Sequence, residues 1–327
     1  MPTRYWIAAV LPVASCFVPA AAVELGVSAG ISDAAASGSY SWQMEYRQRL
    51  AEDYGLSFQY LNEGHLPGHH RDGGALEAWA DAPPWRNRFR FSFGAGPYVY
   101  CDTRAADSSP GFRDNHGVGA VVTASLTWYW QTNWFTRASL SQIRAPGDID
   151  TTMVVIGFGY REDASFEPEG ASESPPEQPV PAMRNELGAV FGQTVVNSYS
   201  SPKSQSFGLE YRRGLTRHLE LSGTWLDEGD TEDRRRHSGL MSELWLAHSF
   251  LRGIASVGIG AGPYVALGAY RADGGSKGAR VAGMGSITTS WHLHGPLVAR
   301  LEWHRAFTHD NQDRDIVTGG LAWSWGE

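Results

Sequence analysis

Polar and apolar residues alternate one by one along much of this chain, in short segments separated by polar stretches. In residues 87–101, for example, Phe91 and Phe93 fall on one face while Arg90 and Ser92 fall on the other. Alternation with a period of two predicts β-strands that bury one face. The sequence therefore predicts an all-β fold.

The pattern predicts eight strands in each half of the chain. The expected strands of the first half are residues 24–32, 41–50, 54–61, 74–80, 87–101, 118–130, 134–141 and 151–160. Those of the second half are residues 186–194, 205–215, 218–226, 240–248, 254–265, 280–293, 297–307 and 316–325.

The two halves repeat each other in sequence. The hexapeptide Gly-Ala-Gly-Pro-Tyr-Val occurs at residues 94–99 and again at residues 260–265. Its flanks match at a nearly constant offset, pairing 24–26 with 186–188, 45–47 with 210–212, 61–64 with 226–229, and 127–128 with 290–291. This indicates an internal duplication. Within the hexapeptide, glycine lets side chains pass inside the fold, and Pro97 and Pro263 are expected to mark a bulge.

The connections between predicted strands are alternately short and long, which is typical of an outer-membrane antiparallel β-barrel with short periplasmic turns. A Pro- and Glu-rich linker at residues 161–184 separates the first repeat, residues 23–160, from the second, residues 185–327. A linker in place of a tight turn favours two tandem eight-stranded barrels. A single sixteen-stranded barrel remains the alternative.

The N-terminus predicts export. Residues 1–22 have a basic start, an apolar middle and small residues at the end, as in a signal peptide. The segment ending at Cys16 also resembles a lipoprotein processing site. Together with the barrel pattern, the signal predicts the outer membrane of a Gram-negative cell.

Composition narrows the partners. Aromatic residues make up 12% of the chain, with 13 Trp, and the net charge is −8. The acidic balance argues against nucleic acid, and no cofactor is expected. The expected partners are outer-membrane lipid, lipopolysaccharide and, during insertion, the barrel-assembly machinery. Six tryptophans near strand ends suggest a membrane-interface girdle, namely Trp128, Trp130, Trp134, Trp291, Trp323 and Trp325.

Several charged residues fall on the polar face of the predicted strands and are expected to fill a narrow lumen as ion pairs. They are Glu45, Arg47, Arg137, Glu210, Arg212, Arg300 and Glu302.

The densest polar cluster lies in residues 62–73, which are predicted to form a long outer loop. Its candidate ligand-binding residues are Glu63, His65, His69, His70, Arg71 and Asp72. His and carboxylate side chains suit Zn²⁺, but their spacing matches no strong metal motif, so no metal is assigned. The alternative is a hydrated loop held by ion pairs. Arg71, with residues 234–236 of the equivalent loop, is also suited to lipopolysaccharide phosphates.

One segment suggests chemistry. Residues 300–305 read Arg-Leu-Glu-Trp-His-Arg and are followed by several aspartates. Here the chain resembles the lipid A deacylase family of small outer-membrane barrels, in which a late-strand His, a Ser two residues on and a Glu beyond form a hydrolytic triad. The resemblance makes His304 a candidate catalytic base. However, the residue two further is Ala306 and no Glu follows in the expected position.

The sequence therefore predicts an outer-membrane barrel protein with a structural role or with a role in binding a ligand or lipopolysaccharide. A lipid A-modifying hydrolase is the first alternative, and a sixteen-stranded diffusion channel is the second.

Overall fold

The fold is seen in a computed structural model. It describes residues 22–34, 37–86, 88–105, 112–163, 184–198, 201–231, 234–251, 253–267, 281–308 and 313–326. All of the predicted signal peptide except Ala22, which begins the first strand, and nearly all of the predicted linker lie outside these residues. Within them, no helix is long and apolar enough to cross a membrane.

The described chain forms two closed antiparallel barrels of eight strands each. Barrel 1 consists of β1 (Ala22–Ala34), β2 (Ser37–Arg49), β3 (Tyr54–Leu66), β4 (His69–Asp81), β5 (Phe89–Ala105), β6 (Phe112–Tyr129), β7 (Trp134–Arg144) and β8 (Thr151–Asp163). Barrel 2 consists of β9 (Asn185–Val196), β10 (Lys203–Gly214), β11 (Leu219–Thr231), β12 (Arg234–Phe250), β13 (Ala255–Ala266), β14 (Val281–His294), β15 (Leu297–Phe307) and β16 (Arg314–Trp325).

Each barrel closes within its own half of the chain. In barrel 1, β1 pairs with β8, with Val27 opposite Phe158. In barrel 2, β9 pairs with β16, with Phe191 opposite Gly319. The prediction of two eight-stranded barrels is confirmed. The sixteen-stranded alternative is wrong, because the first and last strands of each half pair with each other and leave no edge for the other half.

Side chains alternate between the interior and the exterior of each wall, as the sequence pattern predicts. On β5, Phe91 and Phe93 are each 56% exposed, whereas Arg90 and Ser92 are buried. The walls are therefore turned the opposite way from a soluble barrel, with apolar side chains outside and charged ones inside.

In each barrel the first strand begins, and the last strand ends, at the same end as the tight connections. We call this end the short-turn end, and the opposite end the loop end. The short connections of barrel 1 are residues 50–53, 82–88 and 130–133, and those of barrel 2 are residues 215–218, 251–254 and 295–296. In the described chain, every tryptophan that is more than a third exposed lies near a short-turn end. These are Trp85, Trp128, Trp130, Trp134, Trp291, Trp323 and Trp325.

At the loop end the strands run further than predicted. Residues 62–73 are not a long loop, because β3 continues to Leu66 and β4 begins at His69. In barrel 2, β11 likewise extends to Thr231 and β12 starts at Arg234. The charged residues of these segments do not end the strands, since inward-facing charges pair inside the barrel.

The repeated hexapeptide has one role in both barrels. Its first glycine lies flat against a buried indole, and a Cβ added there would come within 2.7 Å of the Trp79 ring for Gly94 and within 2.5 Å of the Trp245 ring for Gly260. The expected bulge at Pro263 is wrong, because the pairing of β13 with β14 runs through Pro263 and Gly283 without a shift.

Candidate functional site

The centre of barrel 1 is an ion-pair layer built around Arg137. Its guanidinium donates to both Glu24 and Glu45, and its Nε atom donates to the Thr127 hydroxyl at 2.9 Å. Next to this layer, Arg47 donates to Asp81 at 2.6 Å. All of these side chains are buried. Because they fill one another's hydrogen-bonding capacity, the charges are tolerated inside the wall.

Barrel 2 repeats the layer around Arg300. This side chain donates to Glu186, to Glu210 at 2.7 Å and to the Ser290 hydroxyl at 3.1 Å. Arg212 donates to Glu210 at 2.9 Å and to Glu302 at 2.6 Å. The structure thus places all seven predicted lumen charges inside the barrels and brings them together as two layers.

An indole stacks on each layer. The Arg47 guanidinium carbon lies 4.0 Å from the centroid of the Trp79 ring, and the corresponding distance from Arg212 to Trp245 is 4.2 Å. Each indole N–H donates to a serine hydroxyl, Ser57 in barrel 1 at 2.7 Å and Ser222 in barrel 2 at 2.9 Å. The interior of each barrel at this level is therefore filled with packed side chains, among which the charged groups are held by ion pairs and hydrogen bonds.

Sequence reasoning missed the acids that complete the layers, namely Glu24, Asp81 and Glu186. For Glu24 and Glu186 a signal existed, because both belong to the matched segments of the duplication. Asp81 carried no such signal, since the corresponding position of the second repeat is Ala247.

The six predicted ligand-binding residues do not form one exposed cluster. Glu63 and Arg71 are fully buried in barrel 1 and pair with each other through two contacts, of 2.7 and 2.6 Å. The Tyr98 hydroxyl donates to the same carboxylate at 2.7 Å, and Thr151 contacts it as well. The Glu63 carboxylate is therefore a structural acceptor that ties four strands together.

The remaining members of that set lie in different surroundings. Asp72 is buried, whereas His65 is exposed and its Nδ1 atom lies 3.0 Å from the Tyr40 hydroxyl. His69 is half-buried with its Nδ1 atom 2.7 Å from Asp102, and His70 is also half-buried. Ligand binding by these residues stays a prediction. Contact between Arg71 and lipopolysaccharide is not possible here, because its side chain is inside the barrel.

Barrel 2 has an equivalent carboxylate in Glu228. It accepts from the Tyr264 hydroxyl at 2.5 Å, lies 2.9 Å from His237 Nδ1, and forms an ion pair with Arg314 at 2.5 Å. The tyrosine of the repeated hexapeptide therefore donates a hydrogen bond to a buried glutamate in both barrels.

The candidate base His304 lies inside barrel 2 beside a serine and two glutamates. Its Nδ1 atom is 2.8 Å from the Ser286 hydroxyl and 3.5 Å from Glu243, while its Nε2 atom is 3.6 Å from Glu302. The Ser286 hydroxyl donates to Glu243 at 2.5 Å. These are the residue types of a hydrolytic triad, and the sequence did not predict Ser286 or Glu243 as partners.

The environment of these residues does not suit acyl transfer. Ser286 is 5% exposed, His304 is 2% exposed and Glu243 is 1% exposed. A nucleophile must reach the carbonyl carbon of its substrate, and its base must be free to take the proton. Here the Ser286 hydroxyl donates its hydrogen to Glu243 instead of to His304. The Nδ1 atom of His304 lies near both Ser286 and Glu243. The arrangement is a closed hydrogen-bond network.

No family model matches the sequence, and no curated protein matches it. Among solved structures, the N-terminal β-barrel domain of Pseudomonas aeruginosa OprF matches at 18% identity and a TM-score of 0.37, covering 44% of this chain and 98% of that chain. Neisserial surface protein A matches at 11% identity and a TM-score of 0.33, covering 42% of this chain and 95% of that chain. At these scores the likenesses carry no argument about function.

Proposed function

We propose that this chain is an integral outer-membrane protein with a structural role, built from two barrels that do not conduct. One observation carries the proposal. Both barrels expose apolar side chains on the outside and fill the inside with paired charges.

The exterior supports placement in a bilayer. Exposed apolar surface costs about 25 cal/mol per Å² in water, and residues such as Ile31, Ile156 and Phe191 are each more than 60% exposed. In lipid the same surface is favourable, and a closed barrel leaves no unpaired strand edge in the hydrocarbon. Even strand number and alternation with the apolar side outward are the features of outer-membrane barrels.

The tryptophans support an orientation. Indole rings favour the membrane–water interface, and among the residues that the structure describes the exposed indoles lie near the short-turn ends. We place these ends at the periplasmic leaflet, with the longer connections outside the cell. Contacts with lipopolysaccharide then belong to the loop ends, and assembly would involve the barrel-assembly machinery.

The interior argues against a diffusion channel. Arg137 and Arg300 each bridge two carboxylates across the lumen, and Trp79 and Trp245 lie beside these bridges. An eight-stranded wall leaves room for side chains and little else.

The test is single-channel conductance in planar bilayers, using protein whose insertion is first shown by its resistance to alkaline extraction. We expect no steps above the lipid background, because both lumens are filled. Large, stable steps from the inserted protein would contradict a non-conducting role.

A further inference from the structure

The interiors of the two barrels differ most at the short-turn end. Four corresponding positions change from large or charged to small residues or histidine: Arg49 to Gly214, Asp81 to Ala247, Arg90 to Ser256, and Tyr129 to His292. Two positions change the other way, from Ala22 to Arg184 and from Gly55 to Glu220. Since the duplication, substitutions have therefore changed the side chains that fill one end of the barrel 2 lumen.

In barrel 1 the large side chains close this end. Asp81 accepts from Arg47 at 2.6 Å and from Arg90 at 3.3 Å. The Tyr129 hydroxyl donates to Glu24 at 2.7 Å, and Arg49 donates to the same hydroxyl at 3.4 Å. These hydrogen bonds join five strands, and we call the side chains that form them the barrel 1 plug.

In barrel 2 the same end is an open recess. We call it the barrel 2 recess; it is lined by Arg184, Thr216, Arg217, Glu220, Ser249 and Ser256. The small residues Gly214 and Ala247 form part of its wall. The recess therefore exists where barrel 1 has its plug.

The two acidic side chains of this end are already neutralised. Glu220 lies 3.3 Å from Arg212, and Glu186 lies 2.6 Å from Arg184. Arg217 belongs to the turn between β10 and β11, and no residue that the structure describes forms a hydrogen bond or ion pair with its guanidinium. Arg217 thus supplies an uncommitted positive charge at the recess.

Three residues with hydroxyl groups line the recess together with Arg217. The Thr216 oxygen accepts from the amides of His218 and Leu219, at 3.2 and 3.1 Å, so its own hydrogen can be donated elsewhere. Ser249 and Ser256 add two further hydroxyls on the recess wall. In the same turn, burial lowers the pKa of His218, so at neutral pH the free charge comes from Arg217.

We propose that the barrel 2 recess binds a small oxyanion, a phosphate or carboxylate group, with Arg217 as its cation and the hydroxyls of Thr216, Ser249 and Ser256 as donors. Guanidinium pairs strongly with both kinds of group because its N–H donors match two oxygens at once. Barrel 1 lacks the site, because Arg90 and Asp81 occupy the same end.

The test is calorimetric titration of the purified full chain in neutral detergent, at fixed ionic strength, with sodium phosphate and separately with sodium acetate. We expect saturable binding of one anion per chain. R217Q is expected to weaken binding about tenfold, because it removes one charge-assisted contact. S256R combined with A247D restores the Arg90–Asp81 ion pair of barrel 1, which fills the recess without changing its net charge, and is expected to abolish binding. Tighter binding of phosphate would identify a phosphoryl ligand, and tighter binding of acetate a carboxylate ligand.

R213Q is the matched control, since Arg213 is an exposed neighbour that does not line the recess. It should bind like the unmodified chain. The proposal is overturned if neither anion binds saturably, if the S256R/A247D variant folds normally and still binds, or if R213Q and R217Q lose affinity equally. Because the measurement is made in detergent, it does not depend on the membrane in which the protein resides.

Discussion

The two barrels hold the same buried carboxylate with cations from different strands. In barrel 1, Glu63 pairs with Arg71 on β4, and Thr151 on β8 contacts it. In barrel 2, the position of Arg71 is taken by His237, and the position of Thr151 is taken by Arg314, which pairs with Glu228. The guanidinium has moved across the lumen while the acid and the tyrosine have stayed.

A second pair shows the same exchange. Arg47 pairs with Asp81 on β4, whereas Arg212, besides its contact with Glu210, pairs with Glu302 on β15. The corresponding positions are Ala247 and Ser139, which carry no charge. Both barrels therefore keep an acid paired with this arginine, although on different strands, because an unpaired buried ion is far more costly than a relocated one.

The largest effect is expected from removing the central arginine of either layer. R137A leaves Glu24 and Glu45 facing each other, and R300A does the same to Glu186 and Glu210. Each should lower the free energy of unfolding by about 3–5 kcal/mol, because two buried carboxylates each lose an ion pair with a buried guanidinium. Urea unfolding of the protein in detergent checks this, with R213Q as a surface control. A loss below about 1 kcal/mol in either barrel would show that the layers are hydrated.

A smaller effect, and a rescue, is expected from copying one barrel into the other. R71H should lower the free energy of unfolding of barrel 1 by about 2–4 kcal/mol, because Glu63 loses its guanidinium. R71H combined with T151R reproduces the barrel 2 arrangement and should recover much of this loss. The coupling is measured with a double-mutant cycle in urea. If the two changes simply add, the cation is not interchangeable between strands.

The smallest effect is expected at the network around His304. S286A removes a hydroxyl between Glu243 and His304 and should cost about 1 kcal/mol of stability. Lipid A from cells that express the protein, with or without S286A, should have the same acyl pattern as lipid A from cells that lack it. A protein-dependent loss of an acyl chain that S286A or H304Q abolishes would establish a hydrolase instead.

The strands of the barrel walls could be predicted because polar and apolar residues alternate along each strand and so assign each side chain to one of its two faces. Phe91 and Arg90 are adjacent and differ in polarity, which predicts that they lie on opposite faces of the wall. The second repeat shows the same alternation. The loop-side ends could not be predicted in this way. Glu63 and Arg71 resemble loop residues in the sequence, and only the tight turn between β3 and β4 brings them together inside.

The contacts of the candidate site depend on geometry that one sequence does not contain. Arg137 reaches Glu24 and Glu45 because closure places β7 near β1 and β2 around the lumen. His304 on β15 meets Glu243 on β12 although β13 and β14 lie between them in the wall, and on β13 Gly260 and Gly262 add no side chain. The local sequence pattern shows which residues form strands, whereas the curvature of the closed wall decides which side chains pair inside the barrel.

Closure of β1 on β8 and of β9 on β16 has a consequence for how the gene can change. Among the described strands, no hydrogen-bonded ladder joins one half to the other, so a register error in one barrel has no backbone route into its neighbour. Each half can therefore accumulate its own substitutions, as the exchanged cations record. The chain behaves in this respect as two modules that evolve separately within one polypeptide.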